Sequence, residues 1–174
     1  EGVVKTEPLF EIPVKIYLNG RSEDDLLLGV PPGMTLKKLV GSDEKPVALP
    51  EDGVLINERT AKRLGLRPGD RVEVETLLGL GPARWTSLTV AGVNRQLVGS
   101  GSYISLDLAN RVMQESGVVS GAMLKVDPGK AGRVEQVLSD MTGVSSISSQ
   151  HKELDNLNKN MGSMVYSISI MIAL

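Results

Sequence analysis

The stretch GVLINERTAKRLGLRPGDRVEVE, Gly53 to Glu75, carries the strongest local structure signals in the chain. Asn57 stands where a short helix needs a side-chain acceptor for its first free N–H groups. Ala61 and Leu64 fall on the inner side of that helix, and Gly65 suits the left-handed residue that ends it. Arg67-Pro68-Gly69-Asp70 has Pro second and Gly third, as a tight turn requires. Val72 and Val74 then alternate with Arg71, Glu73 and Glu75, the pattern of a strand with one buried face. The unit reads as helix, tight turn, strand.

Upstream, VKIYLNGRSEDDLLLGV (14–30) reads as a hairpin. Val14, Ile16 and Leu18 alternate with Lys15 and Tyr17, and Asn19-Gly20 tolerates the positive φ of a two-residue turn. Glu23, Asp24 and Asp25 are expected at the hairpin's end as a solvated loop, with no further ligand at metal-site spacing. The Pro- and Gly-rich segment 29–53 is expected to hold one short helix near Leu36 to Val40.

Downstream, Val72 to Leu78 and Trp85 to Val93 read as a second hairpin turning through GLGPA, with Leu88 and Val90 on one face and Trp85 covering the edge of a small β core. Tyr103-Ile104 reads as a short strand. Ser105 caps a helix whose stripe is Leu106, Ala109, Val112 and Met113, stopped by Gly117. A βαβ-like unit follows: a strand over Met123–Val126, a helix capped by Asp127 with Pro128 first, and a strand over Val144–Ser148. Ala131, Val134, Val137, Leu138 and Met141 mark the apolar face of that helix, and Gly143 stops it. TGVSSISS (142–149) and EGVVKTEP (1–8) share one layout, so Glu1-Gly2 is expected to be the end of a helix belonging to a longer chain.

With 174 residues, 41% hydrophobic and 23% charged, the composition is that of a globular domain. A net charge of −2 offers no basic field for nucleic acid. Without cysteine there is no disulfide frame, thiolate metal site or cysteine nucleophile, and with His151 as the sole histidine there is no histidine cluster. Neither a phosphate-binding G-x-x-x-x-G-K-[ST] loop nor a G-x-S-x-G elbow occurs. No catalytic, cofactor or metal residue is nominated, and no enzyme activity is expected.

The tail, 151–174, differs. Leu154, Leu157, Met161, Met164, Ile168 and Met171 recur at spacings of three and four, and beyond Lys159 no charge remains. This predicts a stalk helix running into the start of a transmembrane helix, with Tyr166 at the interface.

In order along the chain, the GV strand start, the Asn-Gly hairpin ending LLLGV, GVLINERTAKRLGLRPGDRVEVE, VAGVNRQ followed by SYISLDLANRVM, the DPG turn and the apolar tail resemble the extracytoplasmic domain of FtsX-like ABC transporter permeases, the group with MacB-like periplasmic core domains. The resemblance implies an α+β, two-part fold: an α/β, βαβ-containing subdomain from 1–48 and 119–150, an inserted β-rich subdomain at 49–118, and the stalk. It also implies a membrane protein without a cofactor, whose partners are a cytoplasmic ABC ATPase subunit, a second permease copy or paralogue, and a lipid, lipoprotein or peptide substrate or an extracytoplasmic protein. TAKRLGLRPGDRVEVE separately resembles the helix-turn-strand of double-psi β-barrel binding modules, the alternative reading.

Overall fold

The computed structural model describes residues 2–77, 82–95 and 101–147. The tail stripe from Leu154 to Met171 and His151 lie outside the described residues. The chain forms two compact units, Glu1–Asp127 and Pro128–Leu174.

In the first unit, β1 (Val3–Leu18) turns through Asn19-Gly20 into β2 (Arg21–Val30). Then come β3 (Val54–Asn57), α1 (Glu58–Leu64), β4 (Arg71–Thr76), β5 (Trp85–Asn94), β6 (Ser102–Ser105), α2 (Leu106–Val112) and β7 (Gly121–Val126). The pairings close on themselves: β1 to β2, β2 to β6, β6 to β3, β3 to β5, β5 to β4, and β4 back to β1. Two contacts in this six-stranded ring, β2 with β6 and β3 with β5, are parallel. Phe10, Ile12, Val14 and Ile16 of β1 face inward, joined by Val72 and Val74 of β4, Leu88 and Val90 of β5 and Ile104 of β6. Ala61 and Leu64 of α1 and Leu108, Ala109 and Val112 of α2 pack into the same core.

The helix-turn-strand forms as its residues dictate. The Asn57 side chain accepts from Arg59 N, and Gly65 is left-handed at φ 74°. The turn is tied to β5, because Gly69 N donates to Val90 O and Val90 N to Asp70 O, both at 2.8 Å.

β1 is too long for one ladder. From Phe10 onward it pairs with β2, and from Val14 with β4 as well, whereas Val3 to Leu9 pair only with β7. Strands from the expected outer segment 1–48 and from the expected insertion 49–118 therefore share the ring, and the change of ladder falls inside β1.

The ring is thinnest between β3 and β6, where Leu55 and Tyr103 are the one paired position. Side chains complete it. Asn94, fully buried, donates from Nδ2 to Leu55 O (2.8 Å) and Gly101 O (3.2 Å). Ser102 Oγ accepts from Asn57 N at 2.9 Å and donates to Asp25 Oδ2 at 2.7 Å.

Several sequence expectations are corrected. No helix forms at 36–40. Leu39 is buried instead, Leu39 O accepts from Val47 N, and the N–H groups of Thr35 and Leu36 are taken by Glu7. Glu23, Asp24 and Asp25 lie within β2, not in a terminal loop. Trp85 is 57% exposed and stacks on Tyr17 with ring centroids 5.1 Å apart, rather than covering core. The α2 helix ends at Val112, before Gly117. In its stripe Leu108 and Asn110 are buried where Leu106 and Met113 are only partly so.

In the second unit helical structure starts at Pro128, as expected, but as a 3-10 turn over Pro128–Lys130 that leads into α3 (Ala131–Ser139), whose own N-cap position is Lys130. Asp127 N is used by Gly2 O at the end of the β1–β7 ladder. Of the expected apolar face, Val134 is buried while Val137 and Met141 are exposed. Residues 144–147 form no strand, so the βαβ-like unit lacks its second strand among the described residues.

Two outcomes follow. Asn94→Ala removes the side-chain donor to Leu55 O and Gly101 O and is expected to destabilise the chain by about 2 kcal/mol in chemical denaturation. Gly29→Ala places a Cβ 2.4 Å from Ala109 Cβ where α2 meets β2. Overpacking there is expected to cost about 1–3 kcal/mol.

Candidate functional site

A cleft of about 240 Å³ opens beside the β3–β6 seam, lined by Asp24, Asp25, Leu26, Asn57, Arg59 and Thr60. The ladder puts the acidic residues here: Asp24 lies opposite Lys15 and Asp25 opposite Val14. The three carboxylates of β2 take different partners. Glu23 Oε2 meets Arg63 Nη1 at 3.0 Å, Asp24 Oδ1 meets Lys15 Nζ at 3.5 Å, and Asp25 accepts from Leu26 N and Ser102 Oγ. Among the described residues no group of three His, Asp or Glu is arranged to hold a metal ion.

Asn57 and Thr60 are 6% and 3% exposed. Asn57 uses its Oδ1 to cap α1, and its N–H to reach Ser102. Among the described residues the buried side-chain atoms without a hydrogen-bond partner are Arg84 Nη1, Asn94 Oδ1 and Tyr103 OH, and none of these residues lines the cleft. The cleft presents carboxylate acceptors, cationic and amide donors, and one hydroxyl that does either. Sequence reading singled out Asn57 only as a cap and the acidic run only as a loop. Nothing local marks Thr60 or Arg59, because their neighbours arrive from β2.

A second polar feature ties the Pro-rich segment to the β1–β7 ladder. Glu7, 5% exposed, accepts from Thr35 N at 2.8 Å and Leu36 N at 3.0 Å and pairs with Lys5 Nζ at 2.8 Å. The Lys5 ammonium and then these backbone donors outweigh burial and hold the Glu7 carboxyl at about 2. On the same face of the ladder Leu9 and Met123 pack with Met34 against a second apolar cluster around Leu28, Val30, Leu39, Leu55 and Tyr103.

Among solved structures, the chain is similar to the extracellular domain of the noncanonic ABC-type transporter YknZ from Gram-positive bacteria. The match has a TM-score of 0.54 and 16% identity, covering 76% of this chain and 71% of that one. The fold is that of an ABC-transporter extracellular domain. A domain of a permease protein from Porphyromonas gingivalis also matches, with a TM-score of 0.43 and 18% identity over 81% of this chain and 70% of that one. No family model and no curated protein sequence matches. Among the described residues no helix is long and apolar enough to cross a membrane.

A lowered carboxyl pKa gives stability that is complete above the unfolded value of 4.5 and lost as pH falls through the folded value near 2. Glu7→Gln is therefore expected to lower the melting temperature at pH 7. The gap between variant and parent should close as pH drops from about 4.5 toward 2, as thermal melts across a pH series will read.

Proposed function

We propose that this chain is the non-catalytic extracytoplasmic domain of an ABC transporter permease in the cell membrane. The observation that carries this reading is the likeness of fold to a transporter extracellular domain over three quarters of the chain. ATP hydrolysis then belongs to a separate cytoplasmic ATPase subunit, and a second permease copy or paralogue completes the membrane part. The six strands of the ring pair on both sides, which suits the ring to relaying motion. Its work is to couple ATP-driven movement of membrane helices to export or extraction of a lipid, lipoprotein or peptide, or to act on an extracytoplasmic protein.

In this reading the stripe Leu154, Leu157, Met161, Met164, Ile168 and Met171 is the seam of the stalk that delivers that motion. In this reading 1–48 and 119–150 make the outer α/β part and 49–118 the inserted β part, and β1 joins them, its first half pairing with β7 and its second half with β2 and β4.

A soluble binding module of the double-psi β-barrel kind is the second reading, favoured by the closed ring of six strands with two parallel contacts. Fractionation of the full-length protein separates the two. The permease reading expects retention in membranes through an alkaline wash and co-purification with an ATP-hydrolysing subunit. Release into the soluble fraction contradicts it. In the reconstituted complex, Leu157→Asp with Met161→Asp is expected to abolish transport while leaving ATP hydrolysis within about twofold, the signature of lost coupling.

A further inference from the structure

The ring leaves half of β5 with a neighbour on a single side. β5 pairs with β4 along residues 85–89, but β3 joins it only from Val90 onward. Val90 N donates to Asp70 O and Arg84 O accepts from Thr76 N, so the even-numbered residues of this half-strand turn to β4. By the alternation of an antiparallel ladder, Trp85 and Ser87 turn their N–H and C=O groups the other way, where no strand lies among the described residues. Such an edge is a template for another strand unless a charge or a proline blunts it, and WTSLT, residues 85–89, has neither. Beside the edge the outer face of the sheet is aromatic and acidic. Cross-strand partners share a face, so Trp85 stands with Glu75, and Ser87 with Glu73. Trp85 is 57% exposed and rests on Tyr17, whose hydroxyl donates to Glu75. The cations nearby are turned elsewhere. Lys15, opposite Glu75 on β1, gives its ammonium to Asp24 at 3.5 Å, Arg84 faces Glu115 at 3.9 Å, and Arg71 stands at the far end of the row, opposite Thr89.

We propose that the outer edge of β5 takes an extended, basic segment of a partner protein as an added strand, with one of its Lys or Arg side chains over Trp85. The backbone of Trp85 and Ser87 supplies hydrogen bonds that are blind to sequence, and the face beside them supplies the selection. The residue that the new strand sets opposite Trp85 lies against the indole, whose negative face attracts a cation. The carboxylates of Glu75 and Glu73 stand two strand spacings away, about 10 Å, within reach of a long basic side chain. An acidic segment meets the same two carboxylates as a repulsion. A second copy of this edge is a poor occupant, since β5 from Trp85 to Asn94 carries no charge to offer. The carboxylates equally disfavour the anionic surface of a membrane. This assignment stands apart from the permease reading, and its failure leaves membrane retention of the full-length protein untouched.

Trp85 is the only tryptophan, so its fluorescence reads the site directly in the full chain. Three peptides are titrated at low ionic strength: acetyl-Lys-Val-Lys-Val-Lys-Val-amide, the same peptide with Glu for Lys, and the same peptide with Pro for Val. The Lys-Val peptide is expected to shift the emission saturably, binding about tenfold or more tightly than the Glu-Val peptide. The Lys-Pro peptide keeps the charge but is a poor ladder partner, and is expected to bind at least about fivefold more weakly than the Lys-Val peptide. Glu73→Gln with Glu75→Gln keeps an acceptor for the Tyr17 hydroxyl, so the melting temperature should stay close to the parent's. The affinity of this double variant for the Lys-Val peptide is expected to fall by about tenfold. The proposal is overturned if the Lys-Val peptide leaves the emission unchanged, if the Glu-Val or Lys-Pro peptide binds as tightly, or if the double variant keeps the parent's affinity. A response to phosphatidylglycerol vesicles without one to the Lys-Val peptide also overturns it, in favour of a membrane surface.

Discussion

Everything in the first unit depends on β1 being hydrogen-bonded to three other strands at once. Its sixteen residues supply one wall of the ring, between β2 and β4, and then run on to carry β7. The inward row Phe10, Ile12, Val14 and Ile16 sets which face of every neighbouring strand is buried, since a slip of one residue would turn all four outward. Pro8 and Pro13 lack an N–H, yet neither interrupts the strand. Pro13 contributes through its carbonyl, which accepts from Leu77 N just past β4.

The ring's weakest contact lies where its polar side chains concentrate. β3 and β6 share a single paired position, and Asn94, Ser102, Asn57 and Asp25 supply the bonds a longer ladder would have made. Asn57 N–H to Ser102 Oγ, and Ser102 O–H to Asp25, form a relay that crosses three strands. Each member polarises the next in a low-dielectric setting. The same relay orients the carboxylate that lines the cleft, so closing the barrel and shaping a polar recess are one arrangement.

What could be read in advance was what neighbours in sequence decide. The Asn57 cap, the left-handed Gly65, the Pro68-Gly69 turn and the period-two strands are set within a few residues and stand as read. The reading failed where a distant group intervened. Residues 36–40 have the composition for a helical turn, but Glu7 takes the N–H groups of Thr35 and Leu36, and Leu39 is buried with its carbonyl bonded to Val47 N. The acidic run looked like a solvated tip because its partners Arg63, Lys15 and Ser102 lie 40, 9 and 77 residues away in sequence. The strand expected at Val144 is missing over 144–147, and the apolar positions there and in α3 remain largely exposed. The resemblance carried what periodicity alone did not, an extracytoplasmic permease fold, and the likeness to a transporter extracellular domain agrees with it.

The central claim is that this domain lies outside the membrane of the cell that makes it. The chain contains no cysteine, so Lys62→Cys on the exposed side of α1 creates a single thiol in it. Spheroplasts expressing the full-length protein are treated with a membrane-impermeant maleimide, before and after lysis. The account predicts that this thiol is labelled fully in intact spheroplasts, with no gain on lysis. Labelling that appears only after lysis would place the domain in the cytoplasm and contradict the account.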